Sequence, residues 1–269
     1  MQRAFILFCI LALTSLGTTA LAQLKEDPDT LGDNILFRRE MSGAAIFHSA
    51  GWGLGFRLGQ NRTYYNKKMF EFDLVEMKSA KEYKRSNANF SNSRRYIYGK
   101  LNNLYFLRAG YGAQKLLNRK PYWGGIEVRF FYYGGLSLGL AKPVYLYIAN
   151  YTLVDQQLYY EITTEKYDPN SHYPWRVSVP ITDSTSRDID IYGKAPVYKG
   201  ISEISPYPGA YAKVGFNFEY GSYNQSIKSI EVGATVDAFP KAIPFMAFNN
   251  PYHFFLNVYV SITLGKRYN

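Results

Sequence analysis

Apolar and polar positions alternate along much of this chain. Near the C-terminus Phe254, Leu256, Val258, Val260, Ile262 and Leu264 are apolar, while the intervening Phe255, Asn257, Tyr259, Ser261, Thr263 and Gly265 are mostly small, polar or aromatic. A period of two is the mark of a β-strand with one oily face. The same parity holds from Trp52 to Gly59, from Phe70 to Leu74, from Phe216 to Tyr220 and from Ile230 to Asp237. It also runs from Ile126 through Val128, Phe130 and Tyr132, and on past Gly134-Gly135 to Leu136, Leu138 and Leu140. Two segments are less regular: residues 41–49, and residues 97–112, where Leu101, Tyr105, Leu107, Ala109 and Tyr111 share a parity that Leu104 and Phe106 break. The pattern thus predicts eight strands. Ten would result if 125–148 folded back at Gly134-Gly135 and part of the following segment paired, but the unbroken parity across those glycines favours one tall strand.

The connections give these strands a topology. With alternating strand direction, the links at about 61–68, 113–124 and 221–226 fall at one end, and those at about 49–51, 79–96, 149–205 and 240–252 at the other. An even strand number, both chain ends on one side, and the long links all opposite are what an outer-membrane barrel requires. The expected fold is all-β: a transmembrane antiparallel barrel over 41–269 with long extracellular loops, the longest over about 149–205. Alternation alone would also suit a soluble barrel with a greasy interior. The second face decides between them, because Gly53, Gly55, Gly59, Gly233, Gly265 and Ser137 suit a narrow lumen better than a surface in water.

That second face also carries Arg57, Glu71, Asp73, Glu127, Arg129, Lys213, Glu219, Glu231 and Asp237, with Arg108 as a further base. Buried without partners, such charges cost several kcal/mol each on the order-of-magnitude scale of ion desolvation, so a paired network is expected. Eight strands enclose little more than side chains, which makes the network a structural plug rather than a conducting path.

Composition adds an address. Residues 1–22 read as a secretory signal, with Arg3, an apolar run from Ala4 to Leu13, and a small-residue cleavage site ending at Ala22. Residues 23–40 read as a periplasmic lead-in. The lone cysteine, Cys9, lies inside the signal, so the processed chain is expected to hold no disulfide and no thiolate ligand. The formal charge is +10, and loss of Arg3 leaves +9. In an exported chain that charge points to acidic lipid head groups of the outer membrane and away from nucleic acid. The 26 tyrosines and 18 phenylalanines suit aromatic girdles at two membrane interfaces. The C-terminal strand, ending Lys266-Arg267-Tyr268-Asn269, is expected to be read by the barrel-assembly machinery.

Candidate chemistry is sparse. His48-Ser49 invites comparison with membrane lipases, yet adjacent residues of a strand point to opposite faces, so His48 is not placed to activate Ser49. Zincin and P-loop motifs are missing. Asp183, Asp188 and Asp190 lack the spacing of a calcium loop and read as solvated charge. Neither catalytic residues, nor a metal site, nor a cofactor is expected. Asp29-Thr30-Leu31 and Asp183-Ser184-Thr185 match a short O-glycosylation signal. Tyr147 and Tyr151 lead into a group of aromatics, Tyr159, Tyr160, Tyr167, Tyr173, Trp175 and Tyr192, which together suit an extracellular protein or glycan interface, or alternatively the folding of the loop on itself.

Several stretches resemble an uncharacterised family of outer-membrane β-barrel proteins of the Bacteroidota: "FRREMSGAAIFHSAGWGLGFRLGQNRT" (37–63), "YGKLNNLYFLRAGYG" (98–112), "GGLSLGLAKPVYLYI" (134–148), "TEKYDP" (164–169) and "EVGATVDAFPKAIPFMA" (231–247). The resemblance implies an integral outer-membrane barrel and brings no settled activity with it. The expected role is a non-enzymatic structural or accessory subunit of a larger outer-membrane assembly, in secretion, transport or barrel assembly. It would be held by protein partners through its outer surface or loops. A narrow pore and an outer-leaflet lipid-modifying enzyme are the alternatives.

Overall fold

The computed structural model describes residues 37–63, 65–87, 90, 92–119, 125–154, 157–172, 177–182, 185–220 and 225–269. The expected signal, most of the lead-in and both O-glycosylation triplets lie wholly or partly outside these residues. In chain order the strands are β1 (Arg39–His48), β2 (Gly51–Asn61), β3 (Asn66–Met77), β4 (Lys84–Arg85), β5 (Tyr96–Ile97), β6 (Asn102–Asn118), β7 (Glu127–Pro143), β8 (Tyr145–Val154), β9 (Gln157–Lys166), β10 (Val177–Thr182), β11 (Thr185–Lys194), β12 (Ser205–Glu219), β13 (Ser226–Ile243) and β14 (Tyr252–Tyr268). Eight of them close a barrel in the order β1-β14-β13-β12-β7-β6-β3-β2, every neighbouring pair antiparallel.

The eight segments with period-two patterning are these eight wall strands. β7 runs unbroken through Gly134-Gly135, so the ten-strand alternative is overturned. Among the described residues the strands of the long loop pair with one another, as a four-stranded sheet in the order β10-β11-β8-β9. Two boundaries also move: the wall begins at Arg39 rather than 41, and the large loop leaves it after Pro143 rather than at 149.

Parity sets what each face meets. Phe254 and Leu256 are each 71% exposed and Leu136 74%, all on the outside, whereas Arg57 is 1% exposed and Glu71 and Glu231 0% on the inside. The register places like beside like on the outer face, with Phe56 opposite Phe72 and Val232 opposite Val260, the cross-strand pairs that stabilise a sheet. The wall is therefore inverted relative to a soluble protein, apolar without and charged within.

The two ends differ. The turn end holds both barrel termini and the links β2–β3, β6–β7 and β12–β13. The loop end holds the β1–β2 turn, the β4–β5 hairpin, the four-stranded sheet and the β13–β14 link. The β1–β2 turn is tight because Gly51 adopts φ +149°, and a Cβ there would lie 2.3 Å from the Glu76 carbonyl oxygen. Tyr96, Val144, Leu146, Ile148, Tyr167 and Ile191 form a small core in the loop region, with Tyr98, Leu101 and Ala247 packed against it.

Candidate functional site

The lumen is the built feature of this molecule, and the inward residues of all eight wall strands fill it in layers. At the turn end Glu40 of β1 accepts hydrogen bonds from Lys67 Nζ at 2.9 Å and Arg267 Nε at 3.3 Å. Arg267 also donates to Glu219, and Arg129 to Glu127. In the middle Arg57 lies between Glu231, to which it donates, and Glu71, whose carboxylate is 3.4 Å from Nε. Glu231 also accepts from Asn217 Nδ2 at 2.8 Å and Ser261 Oγ at 3.2 Å. Lys213 Nζ bridges Glu71 at 2.9 Å and Asp73 at 2.7 Å, and the Tyr211 hydroxyl donates to Glu71 at 2.9 Å. Above them Arg108 grips Asp237 with two hydrogen bonds of 2.9 and 2.6 Å, and Ser137 Oγ donates to the same carboxylate at 2.9 Å.

Each of the nine expected network residues faces this lumen with an opposite charge beside it, and Arg108 is the fourth base. Aromatic rings support the cations: Lys213 Nζ sits 5.0 Å from the Tyr259 ring centre, and Arg57 5.9 Å from that of Tyr133. Sequence reasoning missed Glu40, Lys67 and Arg267, which stand at strand ends. Continuing the inward parity of Glu71 and Asp73 down to Lys67, and that of Thr263 and Gly265 to Arg267, would have found two of them.

A second feature showed in the pattern only as a break. At the loop end the lumen is closed by Phe106, Phe239 and Phe255, whose ring centres lie 5.0 Å (106–239), 5.0 Å (106–255) and 5.9 Å (239–255) apart. Leu104, Ile243 and Phe245 complete the cap. Leu104 and Phe106, which break the parity of their strand, do so because they face inward into this cap. Past Ile243 the chain crosses to the start of β6: Leu101 N–H donates to the Phe245 carbonyl at 3.1 Å and Ala247 N–H to that of Gly99 at 2.7 Å.

The histidines serve backbone and side-chain contacts. Ser49 Oγ donates to Asn257 Oδ1 at 3.2 Å, while His48 Nδ1 accepts from the Ala50 N–H at 3.3 Å, so the adjacent pair is not coupled. His172 Nδ1 accepts from the Asp168 N–H at 3.0 Å, with Nε2 3.3 Å from Glu165. Asp190 is buried and accepts from Asn87 Nδ2 at 2.8 Å. Among the described residues no three His, Cys, Asp or Glu side chains gather as a metal site.

The loop region splits the expected aromatic interface. Tyr159 and Tyr160 on β9 are exposed, and Ile162 joins them. Tyr160 packs edge-on to Phe90, which also holds the half-buried Tyr192. Tyr167 is a correction: it is buried in the loop core beside Tyr98, so it folds the loop rather than facing outward. Tyr173 and Trp175 lie outside the described residues. Titration in this region follows local contacts. Burial, with Asp190 nearby, pushes the Tyr96 hydroxyl up to about 12. The Asn170 N–H and the Ser171 hydroxyl, both donating to Asp168, hold its carboxyl below the usual range. Burial draws Lys100 down, even though its Nζ sits 2.7 Å from Glu82.

No protein-family model matches the chain, and no curated protein does. Among solved structures it is similar to Neisserial surface protein A, at 10% identity over 86% of this chain and 97% of that chain, TM-score 0.37. It is similar to Ail, the attachment invasion locus protein of Yersinia pestis, at 7% identity over 86% and 97%, TM-score 0.37. A third is the N-terminal β-barrel domain of Pseudomonas aeruginosa OprF, at 9% identity over 84% and 96%, TM-score 0.30.

Proposed function

We propose that this chain is an integral outer-membrane barrel, closed to conduction and without catalysis, that serves as a structural or accessory subunit of a larger envelope assembly. The observation that carries the reading is the inverted wall. A continuous outer belt of exposed Phe, Leu, Val and Ile surrounds a lumen of paired charges, and hydrocarbon is the medium such a belt asks for. Water around that belt would leave one of the largest apolar patches a folded chain can carry.

The partner side of the reading rests on β9. It is an edge strand of the four-stranded sheet, paired with β8 on one side, and presents Tyr159, Tyr160 and Ile162 on its exposed faces. An edge strand with no second strand neighbour among the described residues, bearing exposed aromatics, is a site where another protein adds contacts. The likeness of the motifs to Bacteroidota barrels belongs to the same reading, as do export through residues 1–22 and assembly through the C-terminal strand.

Gentle detergent extraction of the tagged chain, followed by mass spectrometry of what accompanies it, tests the role. A stoichiometric envelope protein lost on changing Tyr159 and Tyr160 to Ser supports it, and a chain that comes out alone contradicts it. Planar-bilayer recordings bear on the pore alternative, for which ion-pair layers under an aromatic cap predict silence.

A further inference from the structure

The barrel wall is not continuous everywhere. β12 and β13 pair from Glu219 opposite Ser229 up to Ala210 opposite Ala238, and the ladder stops there. β12 goes on to Ser205 paired only with β7. On β13, residues 239–242 have no register partner on either side before Ile243 meets Tyr252. The reason is the cap. Phe239 and Ile243 turn inward over Gly139, where a Cβ would lie 3.0 Å from Ile243 Cδ1 and 3.2 Å from the Phe239 ring. The chain therefore leaves the wall to cross the mouth of the barrel.

What remains is a notch in the outer surface, a groove of about 650 Å³ between Pro208, Gly209 and Ala210 on one side and Ala238, Phe239 and Pro240 on the other. It continues past Pro208 into a second apolar groove over Leu138, Leu107 and Leu74.

An open ladder facing hydrocarbon would ordinarily strand main-chain donors and acceptors. Here several of the donors are absent and one carbonyl is met. Pro206, Pro208 and Pro240 have no N–H, and the His253 imidazole donates from Nδ1 to the Phe239 carbonyl at 3.1 Å. This chemistry also selects the occupant. A strand from another protein would seek donors that the prolines lack, whereas an acyl chain needs no hydrogen bond. The exposed Lys241 follows Pro240, with its Nζ 5.5 Å over the ring of Tyr207, the neighbour of Pro208 in sequence.

We propose that the β12–β13 seam seats one acyl chain of a phosphate-bearing membrane lipid, its phosphate paired with Lys241. The inference rests on the membrane reading above. The test is native mass spectrometry of the full chain released from nanodiscs of phosphatidylethanolamine and phosphatidylglycerol. The unaltered protein is expected to keep one phospholipid after surrounding lipid is stripped. Ala238→Phe fills the notch and abolishes retention. Lys241→Gln, at an exposed position that leaves the groove intact, weakens retention about fivefold, the worth of one lysine near a lipid surface, and leaves retention of uncharged diacylglycerol unchanged. Retention of no lipid by the unaltered protein, or equal retention by it and both variants, overturns the seam as a lipid site. A chain that fails to enter the nanodisc overturns the membrane reading instead.

Discussion

The two ends of the lumen solve one problem in opposite ways. Eight strands leave a narrow interior that must be filled. From the turn end to Arg108 it is filled by ion pairs, and at the loop end by three phenylalanines and their aliphatic neighbours. The ionic part lies where the ladders run on, with one shift between Leu116 and Asn118 opposite Arg129 and Val128. The aromatic part lies where β13 abandons the wall, so its filling comes from a chain that crosses the mouth rather than from the wall alone. The difference teaches that ion pairs are set by which side chains the wall ladders bring together, while the packed cap depends on volume.

The comparison predicts unequal responses to substitution, each read as the urea midpoint of the reconstituted barrel. The largest effect is expected from Arg57→Met, which strips Glu231 of its cation and leaves Glu71 with Lys213 alone; breaking a buried pair costs about 3–5 kcal/mol, which places this change near the top. Phe106→Ala in the cap is expected to cost about 3–4 kcal/mol through transfer and cavity terms. The halves separate more clearly in pairs of changes. Arg108→Met with Asp237→Leu should cost only about 1 kcal/mol, because removing both partners leaves no orphaned charge and only the Ser137 hydroxyl loses its acceptor. Phe106→Ala with Phe239→Ala should instead cost more than either alone. Ile243→Val is expected to cost about 1 kcal/mol.

The smallest effect lies outside both halves, at Asp168. Its folded carboxyl titrates below its unfolded value, so its contribution is present above about pH 4 and is lost as pH falls through the lower folded value. Amide exchange at Asn170 should quicken only in that acidic window, and Ser171→Ala should narrow it.

The wall was legible from residue order because two-residue parity acts on every strand alike, and Phe254 to Leu264 announced it most clearly. The ionic residues were legible wherever they stood mid-strand, as Glu71 and Asp73 do. Glu40, Lys67 and Arg267 were not, because at strand ends the same alternation merges with lead-in, turn and terminus. The cap was hidden for another reason. Phe239 and Phe255 are apolar residues at inward positions, and parity alone reads an apolar side chain as outward. Leu104 and Phe106 carried the clue, as a broken pattern whose cause is the crossing chain. The sheet formed by β8, β9, β10 and β11 was foreshadowed only by loop length, since its strands pair far above the pattern that marks the wall.

The proposed role of the barrel depends on hydrocarbon lying against its outer face. The most direct test is a spin-label scan of β14 in liposomes, replacing residues 254 to 264 one at a time by cysteine in a chain whose own cysteine is confined to position 9. The account predicts high oxygen and low nickel-chelate accessibility at Phe254, Leu256, Val258, Val260, Ile262 and Leu264, with neither reagent reaching Asn257, Tyr259, Ser261 and Thr263. Nickel-chelate access at the even positions equal to that of a label in water would contradict it.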